Sequence, residues 1–89
     1  MKHINIKIIG KVQDVNFRFD TREKAAGLGL KGFIRNEQDG SVYIEAEGEE
    51  DILSELVEWC KTGPKYAIVK STEVEDGRFM SFKEFEIVP

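Results

Sequence analysis

Apolar and polar residues alternate at the start of the chain. Ile4, Ile6 and Ile8 are separated by single polar residues, and the alternation stops between Gly10 and Val12. A period of two is typical of a strand that buries one face. The sequence therefore predicts a half-buried first strand that ends in this glycine-to-valine stretch.

The next segment changes to helical spacing. The pattern predicts a helix that begins at Asn16 or Phe17 and places Thr21, Ala25 and Leu28 on one face. Two glycines around that leucine then mark the end of the helix, because glycine is common just after a last helical turn.

Two strands joined by a tight turn come next. Residues 33–36 and 42–47 read as strands, and the Asp39-Gly40 pair between them supplies residues that tolerate positive φ. We therefore expect a β-hairpin formed by strands two and three.

The clearest helical pattern lies between the hairpin and the last third of the chain. Its apolar residues recur at spacings of three and four, acidic residues occupy its first turn, and Gly63-Pro64 ends it. A fourth strand is expected over about residues 66–75, with a β-bulge where the inward positions change phase between Val69 and Thr72. Residues 82–88 predict a short final strand.

The predicted order of elements is strand, helix, strand, strand, helix, strand, with an extra terminal strand. Two helices on one face of a mostly antiparallel sheet of four to five strands would bury both amphipathic stripes. The sequence therefore predicts an α+β fold, a ferredoxin-like α/β sandwich, as a single domain over residues 1–89.

Composition restricts the classes of partner. The 89 residues are 40% hydrophobic and 34% charged, and 13 basic against 17 acidic residues give a formal net charge of -4. Nucleic-acid binding favours clustered positive charge, which this chain lacks. We therefore expect a small soluble monomer that binds neither nucleic acid nor membrane.

Cysteine and histidine are scarce. Cys60 and His3 are the only residues of their types, so neither an internal disulfide nor a Cys/His metal site can form within one chain. No apolar stretch has the length of a secretory signal or a membrane span. These features favour a cytoplasmic location.

The turn between the first strand and the first helix is a candidate anion site. If the helix begins near Phe17, the backbone N–H groups of residues 13–18 converge at a helix N-terminus, where they lack helical partners. Arg18, in the first helical turn, can contact two phosphate oxygens with its planar guanidinium. The same pattern also fits an ordinary surface arginine, so the spacing alone leaves both interpretations open.

Other polar residues have weaker claims to a function. Asn36, at the end of strand two, can orient a water and donate to an anion, or simply cap the hairpin turn. Glu45 and Glu47 share one face of strand three, which we expect to be a solvated outer face and not a catalytic carboxylate pair. His3 is expected to face solvent.

Two separated motifs resemble the acylphosphatase family. The stretch GKVQDVNFR, Gly10 to Arg18, is similar to the family pattern G-x-V-Q-G-V-x-F-R. The stretch KGFIRNEQDGSVYIEAEG, Lys31 to Gly48, is similar to K-G-x-V-x-N-x-x-D-G-x-V followed by a strand ending in A-E-G. Two motifs in the right order make this resemblance specific.

The resemblance implies a fold, an activity and a set of residues. The family has the ferredoxin-like fold and hydrolyses acyl phosphates to a carboxylate and inorganic phosphate, without a metal or other cofactor. Its catalytic arginine corresponds to Arg18 and its water-positioning asparagine to Asn36. Its phosphate-binding segment corresponds to Gln13, Asp14, Val15, Asn16, Phe17 and Arg18.

The chain departs from the family pattern at Asp14, where the family has glycine. Aspartate tolerates positive φ, so the loop conformation can survive. A carboxylate about 5 Å from a bound phosphate would cost roughly 3 kcal/mol at an effective dielectric near 20, but under about 1 kcal/mol if it points into water. The carboxylate could also bind the free N–H groups itself. The alternative function is therefore a catalytically weakened anion-binding or interaction module.

Overall fold

Five strands and two helices make up the chain, and the computed structural model describes residues 1–89. In chain order the elements are β1 (Lys2–Lys11), α1 (Phe17–Gly27), β2 (Lys31–Asn36), β3 (Val42–Gly48), α2 (Glu50–Thr62), β4 (Ile68–Asp76) and β5 (Phe85–Ile87). The strands form one sheet in the order β4-β1-β3-β2-β5, in which only β2 and β5 pair in parallel. Neither helix has the length and apolar character that a membrane crossing needs. The order of elements confirms the predicted ferredoxin-like sandwich.

The alternating isoleucines of β1 lie at the centre of the hydrophobic core. Ile4, Ile6 and Ile8 are buried on the sheet face covered by the helices, together with Leu53 and Leu56 of α2. Burying an aliphatic side chain of this size contributes roughly 1.5 to 3 kcal/mol. This face of the sheet therefore supplies much of the free energy of folding.

Helix α1 begins and ends at residues with left-handed backbone conformation. Asn16, just before the helix, has φ 65°. At the other end, Gly29 has φ 77° and its N–H donates to the Ala26 carbonyl at 3.0 Å, while the Leu30 N–H donates to the Ala25 carbonyl at 2.9 Å. This pair of bonds is a Schellman motif, which explains why the helix stops where the sequence predicts.

The predicted irregularity in β4 is present. Ile9 of β1 pairs with Ser71, whereas Gly10 pairs with Val69, so Lys70 has no partner on β1. One extra residue on one strand is a β-bulge, and it moves the following side chains to the other face. The phase change in the sequence therefore marked a real feature of the sheet.

Strands β4 and β5 are shorter than the sequence predicts at their N-terminal ends. β4 begins at Ile68, because the Ala67 N–H donates to the Pro64 carbonyl at 3.0 Å and closes a turn there. β5 covers only residues 85–87, and it follows a segment, residues 77–84, that connects the two opposite edges of the sheet. We call residues 77–84 the crossing segment.

The expectation that His3 faces solvent is wrong. The His3 and Glu47 side chains are each only 2% exposed, and Glu45 is half-buried. Alternation along the strands places them on the outer face as expected, but the expectation that this face is solvated is wrong at Glu47. That face is covered at this point by the crossing segment, whose Phe82 ring lies 5.7 Å from the His3 ring.

The Glu47 carboxylate holds the crossing segment in place. It accepts hydrogen bonds from the backbone N–H groups of Met80 and Phe82, the latter at 2.9 Å. Ser81 between them has φ 57°, and a left-handed residue of this kind turns two neighbouring N–H groups toward one anion. A second anchor is the Gly77 N–H, which donates to the His3 carbonyl at 2.9 Å.

A carboxylate contacts each ring nitrogen of His3. Nδ1 lies 2.6 Å from Glu47 Oε2, and Nε2 lies 2.9 Å from Glu45 Oε1. Burial alone would lower the pKa of His3, but its hydrogen bonds to Glu47 and Asn5 and the two carboxylate charges raise it above 6.5. Burial alone would raise the pKa of Glu47, but the hydrogen bonds from Met80, His3 and Phe82 lower it below 4.5. Both pKa shifts therefore favour the ionised forms of the two side chains.

This pair predicts a bell-shaped dependence of stability on pH. The Glu47 contribution is present above about pH 4.5 and lost as pH falls through its lowered pKa, whereas the His3 contribution is present below about pH 6.5 and lost as pH rises through its raised pKa. Urea unfolding between about pH 4 and pH 9 should therefore show a maximum in the free energy of unfolding inside this range. Glu47→Gln should cost about 2 to 3 kcal/mol at neutral pH.

The control is Glu75→Gln, which changes an exposed carboxylate on β4 and should leave the profile unchanged. His3→Gln should remove the loss of stability on the alkaline side. If His3→Gln and wild type lose stability in parallel as pH rises, the histidine is not the group responsible.

Candidate active site

The sheet brings the ends of β1 and β2 to the same side of the molecule. Both strands pair antiparallel with β3, so they run parallel to each other. Val42 pairs with Ile8 on one side and with Asn36 on the other. Asn36 therefore lies two strand spacings, or about 9.5 Å, from Ile8 of β1. This position is beside the loop that follows β1.

The loop after β1 and the start of α1 present a row of free backbone N–H groups. The N–H groups of residues 13–19 donate to no backbone carbonyl, and the first helical bond is that from the Asp20 N–H to the Asn16 carbonyl at 3.0 Å. Asp14 and Asn16 have φ 60° and 65°, and left-handed residues in a loop turn successive N–H groups toward a common centre. We call residues 13–19 the amide cradle. The partial positive charges on these N–H groups and at the N-terminus of α1 favour the binding of an anion.

Arg18 adds a full positive charge to the cradle. Its side chain is half-buried, lines the cleft beside the cradle, and forms no ion pair with any carboxylate of the chain. All five of its guanidinium N–H donors are therefore available to a ligand. A planar fork of this kind matches two oxygens of a phosphate group.

Asn36 faces the same cleft from the end of β2. Its Oδ1 atom is buried and has no hydrogen-bond partner within the protein. A buried acceptor without a partner is costly, so a donor such as a water molecule is expected there. The amide is therefore suited to hold a water opposite the cradle.

The cleft between these groups has a volume of about 230 Å³, enough for a phosphate group and a water. The residues that line it are Val12, Asp14, Asn16, Phe17, Arg18, Phe19, Asn36 and Ile87. A larger groove of about 330 Å³ runs between α2 and β4, but its lysines already pair with carboxylates. The smaller cleft is therefore the better candidate for an anion.

Four of the six residues predicted to bind phosphate line the cleft, and the side chains of the other two lie elsewhere. Asp14, Asn16, Phe17 and Arg18 line the cleft, as does Asn36, the other predicted site residue. Val15 packs against the core, so only its backbone N–H contributes to the cradle. The side chain of Gln13 points away from the cleft to the hairpin.

Sequence reasoning missed three apolar residues of the cleft: the buried Val12, and Phe19 and Ile87. Phe19 and Ile87 line it and are 49% and 39% exposed. Phe19 is adjacent to Arg18 and could have been included on that ground. Ile87 comes from β5, which pairs with Ile34 of β2, and nothing in the local sequence predicts that long-range pairing.

Asp14 leaves the amide cradle open. Its φ of 60° confirms that aspartate takes the conformation expected of glycine here. The carboxylate is exposed and lines the cleft, and the start of α1 has no side-chain cap. The site therefore has a negative charge at its rim, and its N–H groups stay free.

Comparison with known proteins identifies the family of the chain. A family model for acylphosphatases matches residues 4–87. The acylphosphatase of Acaryochloris marina is 46% identical over 81 residues, which cover 91% of this chain and 87% of that protein. That of Thermotoga petrophila is 40% identical over 87 residues, covering 98% and 97% of the two chains. The crystal structure of acylphosphatase from Bacillus subtilis aligns with a TM-score of 0.96 at 34% identity over 100% of both chains. The chain therefore belongs to the acylphosphatase family.

Proposed function

We propose that this protein hydrolyses the carboxyl-phosphate bond of acyl phosphates, giving a carboxylate and inorganic phosphate. The observation that carries the proposal is the shared cleft. A free arginine and a row of free N–H groups lie on one side of it, and an unpartnered amide oxygen, Asn36 Oδ1, lies on the other. Family membership supports the same reaction.

In this proposal the amide cradle and Arg18 hold the phosphate group. Backbone N–H groups bind the phosphate oxygens, and the guanidinium contributes two parallel hydrogen bonds and a compensating charge. The negative charge on these oxygens is thereby offset both in the bound substrate and in the transition state. Holding the group in place also supplies much of the catalysis, because phosphoryl transfer depends mainly on position and electrostatics.

Asn36 orients the attacking water. Its Oδ1 accepts a hydrogen bond from the water and directs the water oxygen toward phosphorus, in line with the leaving carboxylate. An amide is too weak a base to remove the water's proton, so that proton passes to an oxygen of the substrate phosphate. The bond from water oxygen to phosphorus forms as the bond from phosphorus to the acyl oxygen breaks.

The leaving group needs no general acid. The electron pair of the broken bond stays on the acyl oxygen, and the product carboxylate is a weak base. Arg18 and the cradle supply the positive charge that a metal ion supplies in many phosphoryl-transfer enzymes. We therefore propose a reaction without metal or other cofactor, whose rate does not change in the presence of a chelator.

We propose that residues 1–89 act as a single monomeric domain in the cytoplasm, with small molecules as partners. Cys60 is a buried free thiol, and proteins without disulfides are typical of a reducing compartment. The net charge of -4 disfavours nucleic acid and anionic membrane surfaces as partners.

A second candidate function follows from the exposed Asp14 carboxylate at the cleft. Its charge opposes that of a bound phosphate, so the chain could be an anion-binding module of the same family with little turnover. Calorimetry with inorganic phosphate separates the two functions. Binding of phosphate without hydrolysis of any acyl phosphate supports the module.

Substitution of the two principal side chains tests the proposed enzyme. With benzoyl phosphate as substrate and a chelator present, Arg18→Ala should lower kcat/KM by about 10³-fold or more. Asn36→Ala should lower kcat by about 10²- to 10³-fold and leave KM within about threefold. The substitution removes the side chain that orients the water, whereas the groups that bind the phosphate remain.

Matched controls come from residues outside the cleft. Arg78→Ala and Gln38→Ala change an exposed arginine and an exposed amide, and both should retain wild-type rates. Equal activity of wild type, Arg18→Ala and Asn36→Ala would show that these side chains do not carry the reaction.

Replacement of Asp14 tests the effect of its charge. Glycine and asparagine both tolerate positive φ, so Asp14→Gly and Asp14→Asn should keep the loop conformation and remove only the carboxylate. Because this side chain is exposed, its repulsion is partly screened, and each variant should bind inorganic phosphate about fivefold more tightly. The gain should shrink in high salt. Unchanged affinity in both variants would mean that the carboxylate does not act on the bound anion.

A further inference from the structure

The Gln13 side chain connects two parts of the candidate active site. Its Nε2 donates hydrogen bonds to the backbone carbonyls of Glu37 at 2.8 Å and Ser41 at 2.9 Å. Glu37 follows Asn36 in the chain, and Ser41 precedes Val42, the β3 residue that pairs with Asn36. One side-chain amide thus connects the beginning of the amide cradle to Glu37 and Ser41, the residues at the base of the β2–β3 turn, which we call the mouth of the hairpin.

We propose that Gln13 is a positioning residue, an inference that rests on the proposed function. In this proposal its side chain binds neither the phosphate nor the water, since the side-chain amide donates to the hairpin. It fixes the separation between the cradle, which holds the phosphorus, and Asn36, which holds the attacking water. An error of about 1 Å in such a separation can cost 10²-fold in rate.

The hairpin itself does not depend on Gln13 for its backbone hydrogen bonds. The Glu37 N–H donates to the Ser41 carbonyl at 2.9 Å, and the Gly40 N–H donates to the Glu37 carbonyl at 3.2 Å. The Asp39 carboxylate also accepts from the N–H and hydroxyl of Ser41. Removal of the glutamine amide therefore leaves neither carbonyl unpaired, and the variant should fold.

The first test compares Gln13→Met with Gln38→Met. Methionine keeps the length of the side chain but has no donor, and Gln38 is an exposed amide on the same hairpin. Gln13→Met should lower kcat for benzoyl phosphate by about 30-fold, whereas the inhibition constant of inorganic phosphate should change by less than about threefold. Gln38→Met should change neither. If Gln13→Met weakens phosphate inhibition as much as it lowers kcat, the residue supports the cradle itself and the proposal is wrong.

A double-mutant cycle with Asn36→Ala distinguishes positioning from general support of the fold. In the absence of Asn36 there is no water ligand to position, so Gln13→Met should then cost less than about threefold in kcat. Equal losses in both backgrounds would overturn the proposal. Gln13→Asn is a second variant, because its amide is shorter by one methylene and cannot span the same gap, and it should behave like Gln13→Met.

A readout without turnover keeps this inference separate from the proposed activity. In ¹⁵N NMR spectra, Gln13→Met should shift the side-chain amide signals of Asn36 and speed hydrogen exchange at the mouth of the hairpin, and Gln38→Met should do neither. These NMR results would support the connection made by Gln13 even if wild type hydrolyses no acyl phosphate. Absence of hydrolysis would contradict only the proposed reaction. Unchanged Asn36 signals and exchange would overturn the positioning role.

Discussion

Strand β3 lies between the two strands that carry the site, and its pairing with both sets the geometry of the cleft. Buried isoleucines on each of the three strands fix the register, because a slip of one residue would turn a core side chain to the other face. Asn36 is two residues beyond Ile34, so it shares the face on which the helices pack. That face is where α1 begins, and the asparagine therefore lines the same cleft as the residues of the helix start.

The proposed anion site is consistent with a net charge of -4 because its positive charge is local. The free N–H groups and Arg18 act over a few ångströms, where the surrounding acidic residues are largely screened. Asp14 is the exception, since its carboxylate lines the same cleft. The site thus combines a strong local attraction with one opposing charge, and that charge distinguishes this chain from the glycine-containing family pattern.

The sequence was informative wherever structure depends on neighbouring residues. Alternation, helical spacing and glycine positions predicted the fold, the start of α1 and the bulge in β4. Local patterns could not predict what crosses the outer face of the sheet, so the burial of His3 and Glu47 was missed. The direction of the Gln13 side chain and the contribution of Ile87 to the cleft were missed for the same reason, since both depend on partners distant in the chain.

We propose that a water held by Asn36 attacks phosphorus and not the acyl carbon. Hydrolysis of benzoyl phosphate in water enriched in ¹⁸O tests it directly, with mass spectrometry of both products. Attack at phosphorus predicts that the label enters inorganic phosphate and that benzoate contains none. Label in benzoate would mean that water attacks the carbonyl carbon, and the roles proposed for Arg18 and Asn36 would then be wrong.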